Sequence, residues 1–265
     1  MFNNIYVELF TNFCARVITL LAIAYTLSPS VVQACEKPVY TIGVQAIEYS
    51  PHYNFEDKNA ASYFSEYVAW LNNNLPCRFI VKPYPIKRLN LLFNQKQVDF
   101  IYPDNPNWHD EITAQSRSYS TPLVTALGGT VVKLKDKDIE LGDFKRLAFP
   151  RGFTPIAWLE LQAQYIIEFA ETNSAKAALQ MVLSSRASGA DVEWNVANYL
   201  IKVNGLKPMT LGRKLPFTPT KFHLATLQHS ELLININKHM LRDKQLLESI
   251  KRRLNIQESV KHLTF

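Results

Sequence analysis

The stretch from Val98 to Lys133 constrains the fold more than any other part of the chain. Val98-Asp99-Phe100-Ile101-Tyr102 is short, β-branched and aromatic, which predicts a buried strand, and Pro103-Asp104-Asn105-Pro106-Asn107 ends it with turn chemistry. Open α/β sheets hold their ligands just beyond the carboxyl ends of their strands, where a strand gives way to such a loop. Further on, Tyr119-Ser120-Thr121-Pro122-Leu123 leads into Leu127-Gly128-Gly129-Thr130-Val131-Val132-Lys133, which reads as a hinge. The chain is therefore expected to form two lobes that close on a small molecule.

The amino terminus carries Arg16, the apolar run Val17 to Leu27, and then Ser28-Pro29-Ser30-Val31-Val32-Gln33-Ala34. A charge, an apolar run shorter than the roughly 20 residues that cross a bilayer, and a small-residue boundary predict a secretory signal peptide over 1–34. An uncleaved amphipathic anchor is the alternative. Removing the signal removes Cys14 and leaves Cys35 and Cys77, an even count suited to a disulfide in an oxidising compartment. Cys35 directly follows Ala34, so a lipidated cysteine remains the other use of that thiol, although Gln33 is unusual in a lipobox. The expected location is the periplasm, with lipoprotein anchoring at Cys35 as the lesser alternative.

A net charge of +6 and a pI near 9.1 raise the question of nucleic acid. Export argues against it, and the basic residues are dispersed apart from Lys251-Arg252-Arg253, which fall in the last turn of a predicted helix where cations suit the macrodipole. No Gly-rich phosphate loop, nucleophile elbow or paired-histidine metal spacing is present, so no catalytic residue, metal or cofactor is expected. His109-Asp110-Glu111 could ligate a metal but reads more simply as a solvated loop.

Val39 to Val44 alternates as a strand, an aromatic loop follows from Glu48 to Asp57, and Phe64, Tyr67 and Leu71 recur at helical spacing. Phe79-Ile80-Val81 is a second strand, and Ile86, Leu89, Leu92 and Phe93 mark a second helix before the strand at Val98. The order β-α-β-α-β predicts a parallel sheet with right-handed crossovers. Beyond the hinge, Arg146 to Phe149 reads as a strand, with helices near Ile156 and over Ala175 to Leu183. Leu211 to Thr220 carries the chain back, and helices beginning near Glu231 and Lys244 end it.

In this order the chain presents Tyr49-Ser50-Pro51-His52-Tyr53, Pro85-Ile86-Lys87-Arg88, Lys96-Gln97-Val98-Asp99-Phe100-Ile101 and Tyr119-Ser120-Thr121-Pro122-Leu123. From about Cys35 to Leu254 it thereby resembles the family 3 extracellular solute-binding proteins, typified by the polar amino-acid receptors of ABC transporters. The resemblance implies an α/β, two-lobed fold of the periplasmic-binding-protein type II, each lobe a mostly parallel sheet flanked by helices, with two hinge crossings. Residues 35–126 and 217–265 would form lobe 1, and 127–216 lobe 2.

The resemblance also implies site residues. Tyr49 or Tyr53 would cover one face of the ligand, or else pack as half-buried loop residues. Arg88 would point toward the cleft, or lie on the surface. The family places an arginine beyond the motif aspartate to grip the ligand carboxylate; the matching position here is nearest Glu111, which cannot do so. Asp104, Asn105 and Trp108 suit hydrogen bonding and stacking on a different ligand, the turn-forming reading of Asp104 and Asn105 standing beside it. In the loop before the helix at Ile156, Arg151, Gly152, Phe153 and Thr154 match the family's anion-binding segment. Gly189 to Asn195 matches the segment in which an acid meets an amine. Asp191 is read there as structural, while period-two alternation puts Glu193 and Asn195 on one side, with Glu193 the better partner for a cation or hydroxyl.

The expected function is capture of a small polar molecule, amino-acid-like or another small organic ion. The expected partner is an ABC permease or a membrane sensor, with the protein itself a monomer. A cyclohexadienyl-dehydratase-like lyase, with Glu193 as proton donor, is the enzymatic alternative.

Overall fold

The computed structural model describes residues 35–55 and 61–260, so the signal-peptide expectation over 1–34 lies outside the described residues. The described residues from Lys37 onward cluster as one compact unit. Cys35 and Cys77 are both disulfide-bonded, in line with the cysteine count. Among the described residues no helix is long and apolar enough to cross a membrane.

The elements read from the periodicities recur in that order, with further strands and helices between them. The strands are β1 (Val39–Gln45), β2 (Glu48–Tyr49), β3 (Tyr53–Asn54), β4 (Arg78–Tyr84), β5 (Phe100–Asp104) and β6 (Ser118–Tyr119), then β7 (Val124–Lys133), β8 (Arg146–Pro150), β9 (Glu168–Thr172), β10 (Gly189–Asp191), β11 (Met209–Leu211) and β12 (Phe217–Thr226). The helices are α1 (Tyr63–Asn74), α2 (Ile86–Asn94), α3 (Glu111–Gln115), α4 (Ile156–Tyr165), α5 (Ala175–Leu183), α6 (Trp194–Val203), α7 (Ser230–Arg242) and α8 (Lys244–Arg253). Helix α1 starts on a reciprocal cap between Ser62 and Ser65, which satisfies backbone donors left over at a helix start.

The main sheet runs β4-β1-β5-β12-β7-β10-β8-β9. At one end β4, β1 and β5 are parallel; at the other, β10, β8 and β9 are parallel. Between them β12 and β7 form an antiparallel ribbon that holds register from Phe217 opposite Gly129 to Phe222 opposite Val124. Each parallel block has its own core. Leu89, Phe93, Val98, Ile101 and Ala225 pack under the first, while Val132, Phe144, Leu147, Phe149, Trp158 and Ile167 fill the second. This is the two-lobed α/β architecture, with β7 and β12 as the two crossings.

Two local readings are corrected. Strand β5 does not stop at Tyr102 but continues through Pro103 to Asp104. Proline cannot donate to a ladder, and its place in the strand is tolerated because the partner β12 shifts register between His223 and Ala225, opposite the missing donor. The aromatic loop after β1 contains a hairpin, β2 paired with β3, too short to show alternation in sequence. At Gly43 on β1 a Cβ would meet Leu89 Cδ1 at 2.5 Å and Val98 Cγ2 at 3.2 Å, so α2 packs closely on the strand and a larger residue would make Leu89 shift.

Candidate functional site

The carboxyl ends of β1 and β5, the β2–β3 hairpin, the loop after β8 and the end of β10 enclose a chamber of about 330 Å³. Its aromatic wall begins with Tyr53, whose hydroxyl donates to Gln45 Oε1 at 2.7 Å. Tyr49 stacks on Tyr53 with ring centres 5.2 Å apart and on Phe153 at 5.7 Å, so the hairpin meets the loop after β8 through one aromatic column. Burial, and after it the charges of Glu193 and Asp191, push the Tyr49 hydroxyl well above its ordinary pKa. It stays protonated. Gly152 and Thr154 complete that side. Gly152 adopts φ +89° and approaches Ile86, a left-handed conformation that favours glycine.

Asp104 lies in the wall but its carboxylate is engaged. Oδ2 accepts from Arg117 Nη1 at 2.7 Å, and Oδ1 lies 2.6 Å from His109 Nε2 and accepts from Asn105 N. Arg117 is buried, donates to Asn94 and lies over the Phe93 ring, so it anchors Asp104 from behind. Asn105 closes its turn: Oδ1 accepts from Asn107 N at 2.8 Å and Nδ2 donates to the Lys221 carbonyl at 2.7 Å. Trp108, 38 % exposed, meets Phe222 edge-on at 5.9 Å.

Two acids separated by one residue differ sharply. Glu193 is the N-cap of α6 and is 4 % exposed. Its Oε1 accepts from Leu127 N at 2.8 Å and from Asn195 Nδ2 at 2.7 Å; its Oε2 accepts from Val196 N at 2.8 Å. His52 Nε2 lies 2.9 Å from Oε2, both side chains being buried. His52 Nε2 makes no aligned hydrogen bond at that distance, and His52 Nδ1 has no hydrogen-bond partner among the described residues. Burial works against the Glu193 charge, but His52 and the two backbone donors outweigh it and hold the carboxyl below its ordinary pKa.

Asp191 ends β10 and lines the chamber. It keeps partial solvent contact, yet the protein closes round it so far that burial alone pushes its pKa up to about 7. No charged or hydrogen-bonding side chain offsets that burial among the described residues. The chamber wall contains Asp104, Asp191 and Glu193 but neither lysine nor arginine, and His109 is its one basic side chain among the described residues.

Tyr49, Tyr53, Asp104, Trp108, Gly152, Phe153, Thr154 and Glu193 are thus brought together around one space. Asn105 lines an adjoining chamber of about 460 Å³ with Trp108 and Thr154. Arg88 is exposed on α2, whose buried face is Leu89 and Phe93. Arg151 is exposed and 3.6 Å from Glu171, which is exposed too. Asn195 is buried against the tail, bonding the backbone of Gln257 as well as Glu193. None of these three lines either chamber. Sequence reasoning read Asp191 as structural and assigned no site role to Arg117 or His52. Asp191 had one usable signal, its place at the carboxyl end of a strand.

Neither a protein-family model nor a curated protein matches the chain. Solved structures do. An ancestral arginine-binding protein bound to glutamine superposes with a TM-score of 0.66 at 18% identity, covering 84% of this chain and 100% of its own. The substrate-binding protein of an amino acid ABC transporter gives 0.63 at 15% identity over 83% of this chain and 100% of its own. A histidine kinase sensor domain with similarity to periplasmic binding proteins gives 0.66 at 16% identity, covering 82% and 95%. At these identities the likeness establishes the fold: this chain has the two-lobed architecture of periplasmic binding proteins.

Proposed function

We infer that the protein is an exported solute-binding protein whose cleft takes a small organic cation, with an amine against Asp191. The observation that carries this reading is the electrostatic imbalance of the chamber, where Asp191 is a desolvated carboxyl and, among the described residues, no lysine or arginine lines the wall. An ionised carboxylate in such a place calls for a positive partner, and a protonated amine supplies both charge and hydrogen-bond donors. Tyr49, Phe153 and Trp108 offer flat apolar surface for the rest of the molecule, and aromatic faces also attract cations. The lobes, with boundaries near 126 and 217, would close by bending at β7 and β12. Delivery to a transporter and signalling through a membrane sensor use the same cleft.

The lyase alternative required Glu193 to carry a proton at neutral pH. Its lowered pKa and its bonds to Leu127, Asn195 and Val196 favour a positioning role instead. The test is a thermal-shift screen of the whole exported chain against amines, amino acids, organic acids and small sugars. Amines are expected to raise Tm by linkage, and Asp191→Asn to cancel that rise. Stabilisation by organic acids alone, unchanged in Asp191→Asn, would overturn the reading.

A further inference from the structure

The chamber just described opens into the second one: Trp108, Gly128, Thr154, Ile156, Asp191 and Thr220 line both. Asp191 therefore stands at the junction, not at the bottom of either space. The two sides differ in chemistry. The inner side presents the rings of Tyr49, Tyr53, Phe153 and Phe222 beside the internally bonded Asp104 and Glu193, whereas the outer side presents Asn105, Asn107, Thr218 and Lys221 beside Trp158, Pro216 and Pro219. Lys221 is the one lysine or arginine lining either chamber among the described residues.

We propose that the ligand runs through both chambers, with an apolar or aromatic group inside, an ammonium at the junction and an amide-bearing, acid-ended tail outside, as in a short peptide with an aromatic first residue. The order of groups carries this. In such a peptide the charged nitrogen lies between the first side chain and the rest of the backbone, which is the order in which the aromatic wall, Asp191 and the polar wall occur. Amide and hydroxyl side chains complement a peptide group, and Lys221 complements a terminal carboxylate. Size agrees. Each chamber, at about 330 and 460 Å³, already falls within the range of ~300–1,000 Å³ that accommodates a drug-sized molecule, so a lone amine leaves one of them to water.

This inference rests on the amine-binding reading, and the experiment separates the two. Calorimetric titration of the exported chain would compare phenethylamine, which reaches only the inner chamber and the junction, with phenylalanine and the dipeptide Phe-Ala. Phe-Ala is expected to bind at least ~10-fold more tightly than phenethylamine, a gain of about 1.4 kcal/mol. Thr218→Trp and, separately, Asn107→Trp, both on exposed outer positions, are expected to remove that gain and leave phenethylamine within about twofold. Equal affinity for the two probes, or a gain that survives both substitutions, overturns the extended ligand and leaves the amine reading standing. If none of the three probes binds, the extended ligand is overturned as well, and the amine screen described above decides the parent reading by itself.

Discussion

Asp191 and Glu193 are both carboxylates on the same chamber wall, yet the protein treats them in opposite ways. Glu193 accepts three hydrogen bonds and faces a buried histidine, so its charge is stabilised by groups folded around it. Asp191 receives no such help, and burial alone lifts its pKa to about 7. Partnered buried acids hold structure together, whereas an acid kept desolvated without a partner is a cost that folding alone does not explain. On the amine-binding reading proposed above, Asp191 is the group that would meet an external cation, while Glu193 fixes the start of α6 beside it.

The largest test of this contrast removes the Glu193 charge. Glu193→Gln leaves His52 facing a neutral group and is expected to cost about 3–5 kcal/mol in chemical denaturation. A loss below ~1 kcal/mol would erase the distinction between the two acids. Asp191→Asn should instead leave folding intact and weaken binding of a primary amine by about 2 kcal/mol or more, measured by titration. A double-mutant cycle between His52→Ala and Glu193→Ala should return a coupling of roughly 1–3 kcal/mol; additivity would mean that the 2.9 Å contact contributes nothing.

The pH dependences carry opposite signs. Glu193 has a folded pKa below its ordinary 4.5, so the unfolded chain binds more protons in that interval; its stabilising effect is present above 4.5 and is lost as pH falls through the lowered value. Asp191 has a folded value near 7 against an ordinary 3.8, so the folded state holds the extra proton and ligand-free stability falls as pH rises from about 4 to 7. Asp191→Asn should raise Tm at pH 8 relative to the parent protein and lose that advantage near pH 4. Amine affinity should rise over the same interval as the carboxyl ionises. The smallest effect belongs to the exposed arginines: Arg88→Ala and Arg151→Ala should each change stability by less than ~0.5 kcal/mol and leave amine affinity unchanged.

Much of the fold could be read from the sequence because its cores are periodic. Leu89 and Phe93 on α2, and Ala175, Leu179 and Val182 on α5, repeat at helical spacing and are buried. The β2–β3 hairpin could not be read, since two-residue strands leave no period to detect. The site was less legible, and the two acids show why. Extending strand alternation from Asp191 to Glu193 and Asn195 assumes that the strand continues, but β10 ends at Asp191 and the chain turns into α6 with Glu193 as its cap. Glutamate is not a favoured cap, so nothing in the local sequence announced the turn. Arg117 was overlooked for a related reason. Its burial depends on Asn94 and Asp104, brought beside it only by the folded chain.

The ribbon of β7 and β12 sets a limit on motion. Six consecutive residue pairs tie these strands together between the parallel blocks, so the connection behaves as a short torsion spring and not as two loose cords. Twisting such a ribbon preserves its ladder, whereas shearing it would break several hydrogen bonds at once. The halves should accordingly swing about one shared axis, and a guest would feel a jaw of fixed trajectory whose edges always meet in the same alignment.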